Sequence, residues 1–136
     1  MIRFEHVNLV VSDVEASVRF YQTAIPHWRV RTSGEDQWNG KPRRWLHLGD
    51  DYQYITLNDN GEGDNRSLQG HQVGLAHFGI ETDAIDALIE RMKAAGYEPH
   101  QVGEMGWRKN AYFLDPAGFE VEFVQYSADE PEKRNQ

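Results

Sequence analysis

The sequence contains no cysteine among its 136 residues. This absence excludes disulfides, thiolate metal ligands and a cysteine nucleophile, so any metal would be bound through nitrogen and oxygen. Positive charge is also scarce, because 14 Lys and Arg stand against 22 Asp and Glu, for a formal net charge of −8. Such a balance does not attract nucleic acid or anionic membranes. We therefore expect a small molecule, rather than nucleic acid or a membrane, as the partner.

Long apolar runs are missing as well. No segment approaches the length of about eighteen apolar residues that a membrane span needs, and the opening MIRFEHVNLVV lacks the basic region and apolar stretch of a signal peptide. We expect a cytoplasmic protein. Its hydrophobic content of 39% is enough for a folded core, and its length suits one domain or two small modules that share a core.

An internal repeat is the main feature that the sequence does contain. EHVNLVVSDVEASVRFY (5–21) and AHFGIETDAIDALIERM (76–92) each predict a short strand beside a His, followed by an amphipathic helix. RRWLHLGDDYQYITLND (43–59) and RKNAYFLDPAGFEVEFVQ (108–125) each predict a strand, a tight turn and a second strand. An ungapped alignment of the latter two segments matches Leu48 with Leu114, Ile55 with Val121, Thr56 with Glu122 and Leu57 with Phe123.

These patterns predict an α+β fold built from two β-α-β-β-β modules. The first module covers residues 1–58 and the second covers 73–126. Between them lies a polar linker at 59–72 that is rich in Gly, Asn and Asp, and the chain ends in a frayed tail at 127–136.

Three polar residues interrupt the apolar pattern of predicted strands. Side chains alternate between the two faces of a strand, so the apolar residues around His6, His77 and Glu122 can face the helices while these three face the other way. An unpaired carboxylate in a half-buried site costs on the order of several kcal/mol, which a bound cation removes. Two imidazoles and one carboxylate suit Fe, Mn, Ni, Co or Zn and leave positions open for substrate. Taken singly, each residue is more often structural; together they predict a divalent-metal site.

The paired modules, the His in the first strand of each, and DPAGFEVE in the last hairpin resemble the vicinal oxygen chelate superfamily. Its members include glyoxalases, bleomycin-resistance proteins, extradiol dioxygenases and fosfomycin-resistance thiol transferases. The resemblance runs from about Ile2 to Tyr126. It implies the glyoxalase/bleomycin resistance/dihydroxybiphenyl dioxygenase-like fold, with a cupped mixed sheet and a metal held by His6, His77 and Glu122. It also implies a homodimer, and both a cup completed within one chain and a cup completed across two chains fit the sequence.

Thr56 departs from the pattern of four-ligand glyoxalases, which carry a carboxylate at the matching strand. This departure argues against a standard glyoxalase I and favours three-ligand enzymes, in which substrate oxygens chelate the metal. The segment GEMGWRKNAYF keeps Tyr112, Arg108 and Lys109 but not the full phosphonate-binding pattern of the thiol transferases. We expect lyase, isomerase or dioxygenase chemistry on a small oxygen-rich substrate.

Catalytic candidates beside the metal are Glu122, Tyr112 and Tyr54, since strand alternation puts both tyrosines on the face of the predicted ligands. His47 and His100 could also transfer protons, but we leave them outside the catalytic set. A rival prediction of a different class comes from the four Trp residues. An acidic protein with an aromatic-walled cleft could sequester a flat cationic drug without metal, as the bleomycin-resistance members do.

Overall fold

The order β-α-β-β-β occurs twice in the computed structural model, which describes all residues 1–136. The chain divides into two units, residues 1–64 and 65–136. The elements of the first unit are β1 (His6–Val10), α1 (Val14–Ala24), β2 (Arg29–Trp38), β3 (Lys41–Gly49) and β4 (Tyr54–Asn58). Those of the second are β5 (Phe78–Glu81), α2 (Ile85–Ala94), β6 (Gln101–Met105), β7 (Arg108–Leu114), β8 (Glu120–Tyr126) and α3 (Pro131–Arg134).

Each unit contains one four-stranded mixed sheet, and the two sheets have equivalent strand orders, β1-β4-β3-β2 and β5-β8-β7-β6. The pairs β1–β4 and β5–β8 are parallel, and the remaining pairs are antiparallel. The predicted α+β fold with two β-α-β-β-β modules is therefore confirmed. Neither unit contains a helix of the length and apolar character needed to cross a bilayer.

The core of each unit lies between its helix and one face of its sheet. In the first unit the side chain of Asp13 accepts from the backbone N–H of Ala16 and caps α1, whose residues Phe20 and Tyr21 are fully buried. In the second unit α2 buries its apolar stripe, and Gly96 follows it with φ +92°, where a side chain would be strained. The opposite face of each sheet, here called the far face, is left for polar and aromatic residues.

The strand registers show which positions of the two units correspond. Thr56 pairs with Asn8 of β1, and Glu122 pairs with Gly79 of β5, so the predicted match of Thr56 with Glu122 is confirmed. His6 pairs with Tyr54, and His77 stands opposite Glu120, because the next residues, Phe78 and Val121, are partners. The two His therefore occupy the same register in their units.

One predicted match is wrong. Leu48 pairs with Ile55, and Phe113 pairs with Val121, so Leu48 corresponds to Phe113 and not to Leu114. The turn between β7 and β8 is one residue longer than the turn between β3 and β4, which an ungapped alignment cannot represent. Burial agrees with the corrected match, since Leu48 and Phe113 are 0% and 1% exposed whereas Leu114 is 50% exposed.

The linker and the tail are both held by specific contacts. Residues 59–64 belong to the first unit and 65–72 to the second. The Arg66 guanidinium donates to the carbonyl oxygens of Gly70, Gln72 and Leu75. Within the segment 127–136, residues Pro131–Arg134 form α3. Arg134 ties this helix to β5 by a bidentate ion pair, in which it donates to both carboxylate oxygens of Glu81 at 2.9 and 2.8 Å.

Candidate functional site

The far face of the second sheet carries a row of alternating imidazoles and carboxylates. His77 Nε2 lies 3.2 Å from Glu122 Oε2, and His77 Nδ1 lies 3.6 Å from Glu120 Oε1. The second oxygen of Glu120 lies 2.9 Å from His100 Nε2. Because Glu120 and Glu122 are two residues apart on β8, both side chains point to the same face. The row is thus Glu122, His77, Glu120, His100, in that order.

The spacing of His77 and Glu122 is compatible with a shared cation. Two donors that each lie about 2.1 Å from one ion are separated by about 3.0 Å at right angles and about 3.4 Å at the tetrahedral angle. The observed Nε2 to Oε2 distance of 3.2 Å falls in this range. The Glu122 side chain is only 15% exposed, so a cation there would also neutralise a carboxylate largely removed from water. The donor set of this pair fits a divalent metal.

Tyr112 and Asn110 complete the surroundings of Glu122. Asn110 Nδ2 donates to Glu122 Oε1 at 3.2 Å, and Tyr112 is the partner of Glu122 in the β7–β8 ladder. The Tyr112 ring meets the His77 ring edge to face at 5.5 Å. Partial burial, reinforced by the charges of Glu122 and Glu120, raises the pKa of the Tyr112 phenol. Tyr112 therefore holds its proton beside the carboxylate at neutral pH and can donate it.

The far face of the first sheet is aromatic rather than acidic. The rings of His6 and Tyr54 stack at 4.7 Å with an angle of 6° between their planes, and Tyr54 also stacks with His47 at 4.4 Å. The guanidinium of Arg31 lies 4.5 Å from the centre of the Tyr54 ring. His6 Nδ1 is 2.9 Å from Glu5 Oε1, which leaves Nε2 of the imidazole available to another partner. Partial burial, followed by the charge of Glu5, raises the pKa of Tyr54.

His47 is one of the two residues that the sequence suggested for proton transfer but that we left outside the catalytic set. It pairs with Thr56 as Tyr112 pairs with Glu122, so it occupies in the first unit the place of Tyr112 in the second. Partial burial, with the nearby charges of Arg31 and His6, lowers the pKa of His47 and favours the neutral imidazole. Strand alternation already predicted that His47 lies on the far face, because Leu46 and Leu48 flank it and face the helix.

The predicted residues are thus brought together in two groups. His77, Glu122 and Tyr112 adjoin one another in the second unit, and His6 stacks on Tyr54 in the first. Within neither unit do three or more His, Asp or Glu side chains converge as metal ligands do. The predicted three-residue ligand set draws on both units, and it stays a prediction.

A sequence model of the Glyoxalase/Bleomycin resistance protein/Dioxygenase superfamily matches residues 3–123. The chain belongs to this superfamily. No curated protein matches the sequence closely enough to count as a relative. The chain also resembles solved structures at low sequence identity.

Three of these structures show how the superfamily fold extends over the whole chain. A glyoxylase/bleomycin resistance protein/dioxygenase domain from Frankia sp. EAN1pec aligns with a TM-score of 0.77 at 20% identity, covering 100% of this chain and 99% of that one. The fosfomycin resistance protein FosX from Mesorhizobium loti aligns with a TM-score of 0.68 at 16% identity, covering 100% of both chains. FosX from Listeria monocytogenes, complexed with Mn(II) and sulfate, aligns with a TM-score of 0.63 at 23% identity, also covering 100% of both chains.

Thr56 is the counterpart of Glu122 in the first unit. The Thr56 side chain lies on the far face between Asn8 and His47 and is 6% exposed. It has a neutral hydroxyl where the second unit has the Glu122 carboxylate. The first unit can therefore offer an imidazole from this face but no anion at the matching position.

One groove of the first unit lies away from these residues. It has a volume of 480 Å³ and lies along the β2–β3 hairpin, lined by Glu35, Asp36, Gln37, Pro42, Arg43, Arg44 and Asp59. Arg43 pairs with Asp36, and Arg44 approaches Asp59, so opposite charges in the lining are already matched. This internal pairing argues against the groove as the reactive site.

The Trp side chains give the drug-binding prediction little support. Trp28 is 7% exposed and belongs to the core of the first unit. Trp38 and Trp107 each lie beneath a cationic side chain of their own unit, and Trp45 packs against His47 at 5.1 Å. Each of the last three rings therefore already has a cationic or imidazole neighbour in its own unit.

Proposed function

We propose that this protein is a divalent-metal-dependent enzyme that acts on a small oxygen-rich substrate by lyase, isomerase or dioxygenase chemistry. His6, His77 and Glu122 would hold the metal. The observation that carries the proposal is the 3.2 Å approach of His77 Nε2 to Glu122 Oε2, on the sheet face turned away from the core. The Mn(II) in the Listeria FosX structure supports a divalent metal in this fold but leaves its identity here open.

A bound divalent cation supplies Lewis-acid polarisation of the substrate oxygens that chelate it. The residues of the chain supply orientation and proton transfer. Tyr112, whose pKa is raised by burial and then by the two carboxylates, acts as a proton donor beside Glu122. Tyr54 orients the His6 ring by stacking, and His47, which stacks on Tyr54, is available as a neutral base. Glu122 would have a double role, as a metal ligand and as the acceptor of the hydrogen bond from Asn110.

We also propose a cytoplasmic homodimer. Each four-stranded sheet ends in edge strands, β1 and β2 in the first and β5 and β6 in the second. Edge strands expose unpaired backbone groups, which pairing between two copies can satisfy. The cytoplasmic location is our expectation from the sequence.

The deciding experiment is metal analysis of protein purified without chelator and then offered Mn(II), Fe(II) or Zn(II). We expect about one equivalent of metal per site in the parent and little in Glu122→Ala and His6→Ala, because a site that loses a ligand loses most of its affinity. Glu104→Ala removes an exposed carboxylate from β6 of the same sheet and serves as the matched control, which should keep its metal.

If the parent binds none of the three metals, the proposed metal-dependent enzyme is refuted, and the metal-free drug-binding protein becomes the favoured hypothesis. If metal is bound, activity assays separate the reactions. The loaded protein is tested with a hemithioacetal, with catechol and oxygen, and with an epoxide in the presence and absence of thiol.

A further inference from the structure

The two nitrogens of His77 face two different carboxylates of the same strand. Nε2 faces Glu122 and Nδ1 faces Glu120, while the backbone places these two carboxylates two residues apart on one face of β8. Successive side chains on one face of a strand are separated by about 6.6 Å, a gap that a single imidazole can span only if its two nitrogens point along the strand. The imidazole of His77 therefore lies between the two carboxylates, with one ring nitrogen toward each.

We propose that Glu120 is a positioning residue for His77, held in place by His100, and that it presents Nε2 of His77 for metal binding. The inference rests on the proposed function. An imidazole that ligates a cation through Nε2 must carry its proton on Nδ1, and a carboxylate facing Nδ1 selects that tautomer. Glu120 is the carboxylate that faces Nδ1.

His100 prevents Glu120 from turning away. Its Nε2 lies at hydrogen-bonding distance, 2.9 Å, from Glu120 Oε2, and its backbone N–H donates to the carbonyl of Tyr112 at 3.0 Å. His100 is thereby anchored beside the ladder that contains Tyr112 and Glu122. The contact from Glu120 to His77, at 3.6 Å, is longer than a formed hydrogen bond, so a movement of about 0.7 Å would close it.

In the first unit, the positions that match Glu120 and His100 are occupied by an aromatic residue, Tyr54, and a cationic residue, Arg31. Tyr54 stands opposite His6 as Glu120 stands opposite His77, and it orients the imidazole by stacking at 4.7 Å. Arg31 directly precedes the partner of His47, as His100 directly precedes the partner of Tyr112, and Arg31 lies over the Tyr54 ring. In both units, then, the residue opposite the His faces its ring. That residue is in turn contacted by Arg31 of β2 in the first unit and by His100, just before β6, in the second.

The test measures Mn(II) affinity and the state of the His77 ring separately, in the full chain. Mn(II) titration of the parent is compared with Glu120→Ala, Glu120→Gln and the control Glu104→Ala. We expect Glu120→Ala to weaken binding about 10- to 100-fold, because loss of a group that orients a ligand typically has this effect. Glu120→Gln keeps a carbonyl acceptor and should recover part of the loss, and Glu104→Ala should bind as the parent does.

Nitrogen NMR of ¹⁵N-His protein, zinc-loaded and metal-free, reports on the ring directly. We expect the Nδ1–H signal of His77 in the zinc-loaded parent to be protected from exchange, and to be lost in Glu120→Ala but not in Glu104→Ala. Melting curves by circular dichroism identify any variant that is merely unfolded. Mn(II) affinity within twofold of the parent in folded Glu120→Ala, together with unchanged His77 signals, would overturn the inference while leaving the metal site intact.

If instead the parent binds no metal, the proposed function fails, and the metal-free spectra still decide the positioning role. Glu120→Ala must then shift the His77 nitrogen resonances when Glu104→Ala does not. Identical His77 nitrogen resonances in the two variants and the parent would refute the positioning role of Glu120.

Discussion

Asn58 ties the last strand of the first unit to the strand that carries His6. Its side chain is fully buried at 0% exposure. Its amide nitrogen donates to the Asn8 side-chain oxygen and to the Leu9 carbonyl, and its oxygen accepts from Arg43 Nη1 at 3.1 Å. The corresponding residue of the second unit is Val124, as the match of Thr56 with Glu122 two residues earlier shows. The repeat itself thus suggests the substitution Asn58→Val.

Asn58→Val removes three hydrogen bonds while nearly preserving side-chain volume, so little of its effect can come from a cavity. At about 1 kcal/mol for each hydrogen bond, the free energy of unfolding should fall by about 3 kcal/mol. For a chain of this length the loss corresponds to a melting temperature lower by roughly 10 °C. Asn58→Ala should lose more, since it adds a cavity to the same unpaired groups.

The assay is urea unfolding followed by circular dichroism, with Gln37→Ala as the control. Gln37 is exposed on β2, and its truncation should change stability by less than about 0.5 kcal/mol. A loss below about 1 kcal/mol in Asn58→Val would show that the three contacts contribute no net stability, and the reasoning from buried polar groups would then be refuted for this sheet.

Three further predictions concern α3, the linker and the corrected register. The hydrogen-bonded ion pair with Arg134 lowers the pKa of Glu81. The attachment of α3 should therefore persist above about pH 4.5 and weaken as the pH falls through the lowered pKa that Glu81 has in the folded protein. Amide hydrogen exchange in α3 measures the attachment, and Glu81→Gln, which lacks the ion pair, is the reference. Arg66→Ala should speed proteolysis of the linker with little change in global stability, because three carbonyls lose their donor. Phe113→Ala should lower the free energy of unfolding by about 3–5 kcal/mol and Leu114→Ala by less than about 1 kcal/mol, and equal losses in urea titrations would contradict the register.

Much of the fold could be predicted because the sequence pattern of each strand and helix occurs twice in the repeat. The alternation around His6 and His77 is short-range and survives in the structure, as does the match of Thr56 with Glu122. The far-face location of Tyr112 also followed from alternation, and its ladder partner is Glu122. These features depend on neighbours within a strand, which the sequence displays directly.

Features that depend on turn length or on distant contacts were harder to predict. The extra residue in the β7–β8 turn shifted the match of Leu48 from Phe113 to Leu114, because alternation fixes faces only within a strand and does not count residues in a turn. The ion pair that ties the tail to β5 joins Arg134 and Glu81. These residues are 53 positions apart, so no local sequence pattern indicates their contact. The contact between Glu120 and His100 was missed for the same reason, since it joins residues 20 positions apart.

The two units share strand order and register but differ in the charge of the matching positions on their far faces. Positions filled by Glu120 and Glu122 in the second unit are filled by Tyr54 and Thr56 in the first. A second carboxylate in place of Thr56 would make the proposed ligand set neutral with a divalent ion, whereas the present set of two imidazoles and Glu122 leaves one net positive charge. Under the proposed function, that charge favours a substrate that binds as an anion through adjacent oxygens. Under the same proposal, the neutral residue at position 56 would decide which chelating groups the site accepts, and the stack of His6 on Tyr54 would orient an imidazole without adding a carboxylate.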